Sequence, residues 1–220
     1  MNAEQLINYM VPPLKPTDDI VRAKQWLEEF RIQELPVVHD KKLVGFITDQ
    51  LLYDVNIAEH EVGNYPLVGH DWNVSPKTHY LDILRELSQH NIGCIAVVNE
   101  SEFLGVAVLN DILKEFGNTA IVNSSGAIIT LRTMLSNYSL SEISKTVEMN
   151  ESMILGCNIM PDINDPAYAD VTLRINHQDV GQICAMLSGQ GYEVTSSLNT
   201  ENNAIDEEKR LGLLMKYLEP

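Results

Sequence analysis

Glu34-Leu-Pro-Val-Val-His-Asp-Lys-Lys-Leu-Val-Gly-Phe-Ile-Thr-Asp49 is answered sixty residues later by Cys94-Ile-Ala-Val-Val-Asn-Glu-Ser-Glu-Phe-Leu-Gly-Val-Ala-Val-Leu109. In each stretch an apolar, β-branched run meets a polar break, His39 to Lys42 or Asn99 to Glu102, and a second apolar run follows. That succession predicts a two-stranded hairpin. The return strands carry Gly45 and Gly105, which leave room for another backbone or a ligand to come close.

Outward from the hairpins the same offset aligns Pro16 with Pro76, Leu27 with Leu87 and Ile32 with Ile92, giving six identities between residues 16 and 45. A helix is predicted to start near Asp18, because Ile20, Ala23, Leu27 and Phe30 recur at steps of three and four residues and so share one face. The second copy does the same from about Thr78. A further helix follows each hairpin, over Asp49 to Val55 and over Asn110 to Phe116. The chain therefore predicts a β-α-β-β-α unit written twice, over about 6–60 and 66–118.

This duplicated unit resembles the CBS repeat, most closely in Glu34-Leu-Pro-Val-Val38 and Leu43-Val-Gly-Phe-Ile-Thr-Asp49. The resemblance covers roughly residues 6 to 118. It implies an intramolecular pair with clefts that take adenosine nucleotides, and association of such pairs with one another. It also implies a ligand pattern: a glycine on the last strand, a Ser or Thr three residues on, and an Asp three beyond that. The hydroxyl would serve phosphate and the carboxylate would accept from the ribose hydroxyls. The first repeat keeps Gly45 and Thr48 but has Leu51 for the Asp. The second keeps Gly105 and Asp111 but has Val108 for the hydroxyl. Asp111 reads either as a ribose acceptor or as a carboxylate at a helix N-terminus, and Thr48 as a phosphate contact or a capping hydroxyl. Lys15, beside Pro16, reads as a phosphate contact or as a solvated lysine.

From Ser125 the pattern changes. Ala127 to Leu131 reads as a strand, Ser139-Leu-Ser-Glu142 as a capping box opening a helix to about Asn150, and Met153 to Met160 as an apolar strand. Val171 to Ile175, a helix from Gln178 to Ser188 and a strand over Tyr192 to Leu198 complete a β-α-β-β-α-β order, the ferredoxin-like arrangement. In order, though not in motif, residues 119–198 resemble an ACT domain. The Asp, Pro and Gly loop that the family uses for amino acids is replaced by Arg132-Thr-Met-Leu-Ser-Asn-Tyr138. A CBS pair followed by an ACT-like domain resembles the acetoin-utilisation type of regulatory protein. The remaining segment, 199–220, reads as a polar linker and a C-terminal helix in which Leu211, Leu214, Met215 and Leu218 form one stripe.

Fifteen Lys and Arg against 31 Asp and Glu give a formal charge of -16, which repels a nucleic-acid backbone. No apolar run suggests a membrane span and no start suggests a signal peptide, so a cytoplasmic protein is expected. Cys94, Cys157 and Cys184, odd in number and set in apolar sequence, read as buried thiols. The six histidines show no metal-ligand spacing, His70-Asp71 falls in the linker between repeats, and no phosphate-binding loop or dinucleotide fingerprint occurs. The expected molecule is an α/β, non-catalytic, homodimeric regulator that requires no cofactor and senses AMP, ADP or ATP. A ligand-free module that docks on an unidentified protein partner is the alternative.

Overall fold

A computed structural model describes residues 1–53 and 60–199. The chain divides into two compact units, Met1–Phe116 and a second from Gly117 onward. The expected end of a helix at Val55 and the stripe from Leu211 to Leu218 lie outside the described residues.

The first unit opens with a 3-10 turn, Ala3–Leu6, and β1, Ile7–Asn8. Helix α1, Ile20–Phe30, is followed by the hairpin β2, Glu34–His39, and β3, Lys42–Thr48, and by α2, Asp49–Tyr53. The second copy has β4, Asn73–Val74, α3, Tyr80–His90, β5, Cys94–Asn99, β6, Glu102–Val108, and α4, Leu109–Gly117. Both long helices start later than expected, because Asp19 and His79 take the cap position and accept from the amides of Val21 and Leu81. Both stop at a left-handed residue, Arg31 or Asn91, each at φ 53°.

The repeat extends to register. Val37 pairs with Gly45 and Val97 with Gly105, and both hairpins carry a bulge one residue later. Leu14 runs parallel to Val37 just as Val74 runs parallel to Val97. The two copies are also laced together, which the sequence did not predict. The leading segment of the first repeat binds the second: Ala3 N donates to Thr78 O at 2.9 Å, and β1 pairs antiparallel with β6, Ile7 opposite Ala107. Reciprocally, Val62 N donates to Asp18 O at 2.9 Å and Val68 pairs with Phe46. Each repeat thus completes the other's sheet, and their cores interleave: Cys94, Ala96, Val106 and Val108 pack in one cluster with Leu35, Val37 and Phe46.

In the second unit a short helix α5, Ala120–Asn123, precedes β7, Ala127–Met134, α6, Leu140–Met149, β8, Ile154–Pro161, β9, Tyr168–Ile175, α7, Gly181–Gly189, and β10, Glu193–Asn199. The sheet order β10-β7-β9-β8 is antiparallel throughout, which is the ferredoxin-like topology. Buried Ile129, Leu131, Val171 and Leu173 share a core with Ile143 and Val147 of α6 and with Ile183 and Leu187 of α7. Strand β7 runs three residues past the expected Leu131, since Arg132, Thr133 and Met134 pair with Asp170, Ala169 and Tyr168. Helix α7 begins three residues after the expected Gln178, with Asp179 Oδ1 accepting from Gly181 N. Cys94 is buried as expected, whereas Cys157 and Cys184 are half-buried.

Candidate functional site

The expected ligand residues fall in three places. At the end of β6, Asp111 stands in the first turn of α4, half-buried, and its Oδ2 accepts from Asn8 Nδ2 at 2.6 Å. Asn8 Oδ1 in turn accepts from Met10 N at 2.8 Å, which fixes the amide orientation from both sides. Asn8 lies 103 residues from Asp111 and reaches it because β1 crosses onto β6. Among the described residues no donor reaches Oδ1, so the second oxygen of this carboxylate retains its acceptor capacity.

Gly105, on the same strand, is at φ +157°, where a side chain is rarely tolerated, and a Cβ there would lie 2.5 Å from Ile7 Cγ2. The space it leaves is therefore used by the crossing β1. In the first repeat Gly45, at φ +154°, lies under the matching segment: its Cβ would lie 2.9 Å from Val68 O and 3.0 Å from Leu67 Cβ. The His70 ring, close by, donates from Nδ1 to the Val44 carbonyl. Thr48 Oγ1 accepts from Leu51 N at 3.3 Å, the geometry of a cap on α2.

Lys15 belongs to neither place. It lines a cleft of about 620 Å³ walled by Pro13, Leu14, Pro16, Val38 and Phe103, at the hairpin end of β3 and β6. Thr48 and Asp111 lie at or beyond the other end of strands seven residues, and so about 20 Å, long. Lys15 and Thr48 therefore stand near opposite ends of the sheet, which the position of Lys15 before Pro16 does not reveal. In that cleft Lys41 Nζ pairs with Glu102 Oε1 at 2.9 Å.

A fourth feature was missed. Glu34, 4% exposed, sits between the repeats with Oε2 accepting from Gly93 N at 3.0 Å, while its own carbonyl accepts from the Cys94 thiol at 3.3 Å. Burial pushes the Glu34 carboxyl above its ordinary pKa, and nearby Asp49 adds to the rise; the Gly93 and Cys94 amides oppose it. Burial likewise raises the Cys94 thiol. The signal in the sequence was a charged residue opening an apolar run at the position where the other copy has Cys94.

Residues 72–118 match the CBS domain family. The second repeat is a CBS domain. The first shares its register, bulge, helix cap and left-handed helix stop, so the unit Met1–Phe116 is a tandem CBS pair. Among solved structures, the chain is similar to a CBS domain pair/ACT domain protein from Thermotoga maritima at 17% identity and a TM-score of 0.47, over 53% of this chain and 96% of that one. A putative acetoin utilization protein from Vibrio cholerae aligns at 22% identity and a TM-score of 0.46, over 54% and 91%. CBSX2 in complex with AMP aligns at 19% identity and a TM-score of 0.44, over 52% and 95%. Among the described residues no helix is long and apolar enough to cross a membrane.

Proposed function

We propose that the CBS pair is a regulatory sensor that takes an adenosine nucleotide in the second-repeat cleft, with Asp111 accepting from the ribose. The observation that carries this reading is the half-buried Asp111 carboxylate, held by Asn8 through one oxygen at the position where the CBS pattern has its ribose acid. Thr48, engaged on its own helix, contributes nothing to binding, and Leu51 offers the first cleft no acceptor. The ferredoxin-like unit is the ACT-like relay of the signal to a second copy or a protein partner. Val21 and Leu81, at equivalent positions of α1 and α3 and about half exposed, support a homodimer joined through CBS helices, and light scattering then gives twice the 24.7 kDa chain mass.

A ligand-free docking module is the second reading. The closeness of Ile7 to Gly105 and of Val68 to Gly45 favours it, since the chain itself fills the room that the glycines leave. Thermal denaturation in AMP, ADP and ATP separates the two. A nucleotide that binds the folded state alone raises the midpoint with concentration. Unchanged midpoints at millimolar levels of all three leave the docking reading.

A further inference from the structure

The cleft beside Lys15 lies within the CBS pair, at the end where the tips of the two hairpins meet. Phe103 N donates to Lys41 O at 2.8 Å and Lys41 Nζ reaches Glu102 at 2.9 Å, so each repeat supplies one wall. Its volume of about 620 Å³ is that of a small-molecule pocket. Leu14, fully buried, and the half-buried Val38 and Phe103 give it an apolar lining.

Around that lining one cation is left over. Lys41 and Glu102 answer each other, and Asp40, its side chain 86% exposed with His39 Nε2 at 3.4 Å, stands in solvent at the hairpin tip. Asp18, the acid nearest to Lys15 in the chain, is already engaged: it accepts from the backbone N of Lys15 at 2.7 Å and from Arg22 Nη1 at 3.2 Å. Among the described residues the Lys15 ammonium has no ion-pair partner.

The fold does not ask for these basic side chains. At the sixty-residue offset Lys15, His39 and Lys41 fall on Ser75, Asn99 and Ser101, which serve the same parallel pairing and the same hairpin without charge. Lys41 also stands at φ 63°, second in the two-residue turn between His39 and Lys42, where glycine is the usual residue.

We propose that this cleft between the repeats binds a small carboxylate with an aliphatic or aromatic body. The carboxylate sits on the Lys15 ammonium and the body lies against Val38 and Phe103. A monoanion matches one unpaired ammonium, whereas a phosphate dianion would bring a second negative charge toward Glu102 and Asp40. The site stands at the opposite end of β6 from Asp111, so it does not depend on the nucleotide reading.

Titrating phenylbutyrate into the isotope-labelled full chain, followed by amide NMR, tests this, with phenylbutanamide as the uncharged probe. The carboxylate should shift the amides of Lys15, Val38, Lys41 and Phe103 and bind about tenfold more tightly than the amide, the factor that one charge-assisted contact supplies. Lys15→Ser, which installs the residue of the second repeat, should abolish that preference and leave binding of the amide unchanged. Lys15→Glu should reverse the preference toward phenylbutylamine. Lys15 is exposed, so both variants should keep the wild-type spectrum elsewhere, and Asp111→Ala should bind phenylbutyrate as wild type does. Equal affinity of wild type for carboxylate and amide, shifts confined to the surroundings of Asp111, or no shifts at millimolar probe overturn the proposal.

Discussion

Replacing Gly105 with alanine puts a methyl group where the crossing strand lies. Its Cβ would come 2.5 Å from Ile7 Cγ2, about 1 Å inside the contact distance of carbon atoms, at a backbone φ of +157°. Overpacking of this kind costs about 1–3 kcal/mol and a forced backbone conformation about 1–3 kcal/mol more, so Gly105→Ala should destabilise the CBS pair by roughly 2–6 kcal/mol. Trimming the obstacle removes the first part alone: in Gly105→Ala/Ile7→Ala the added methyl should cost less than in the wild-type background, a favourable coupling of about 1–2 kcal/mol. Urea unfolding followed by tryptophan fluorescence reads this directly. Both tryptophans of the chain, Trp26 and Trp72, lie in the CBS pair and pack in its core. A cost below about 0.5 kcal/mol, or an equal cost with and without Ile7, would refute the exchange of leading segments between repeats.

Glu34→Gln keeps an acceptor for Gly93 N while removing the buried charge. The folded state holds the Glu34 proton to a higher pH than the unfolded chain does, so wild-type stability should fall as pH rises from about 4 through the raised folded pKa and then level off. The Gln variant should lack that fall and be at least as stable at neutral pH; a wild type that gains stability relative to Glu34→Gln over this range contradicts the burial argument. Residues 1–118 expressed alone should give a soluble CBS pair with a cooperative thermal transition, because the division near Phe116 leaves its core whole. An insoluble product would mean that the two units share stabilisation.

Periodicity was enough to place the elements, because the facts it needs are local. Ile20, Ala23 and Leu27 mark one helix face wherever the helix sits, and the alternation of β7 and β9 marks their buried side. Pairing was not local. Asn8 belongs to a two-residue strand too short to leave a pattern, and its bond to Asp111 exists only because β1 crosses to β6. Nor could the sequence show which chain segments come close to the two glycines: Ile7 of the crossing β1 lies beside Gly105, and Leu67 and Val68 lie beside Gly45. The place of Lys15 was hidden for a related reason, since adjacency to Pro16 carries no information about which strand end it faces. The length of β7 was set by partners on β9, not by its own residues.

Calorimetric titration of AMP into the full chain, its Asp111→Ala variant and its Thr48→Val variant tests the ribose assignment most directly. Losing a charge-assisted hydrogen bond is worth about 1.5–3 kcal/mol, so Asp111→Ala should bind about ten- to a hundredfold more weakly than wild type, while Thr48→Val should match it. Equal affinity in wild type and Asp111→Ala, or no heat from wild type at millimolar AMP, would contradict a nucleotide sensor built on the second repeat.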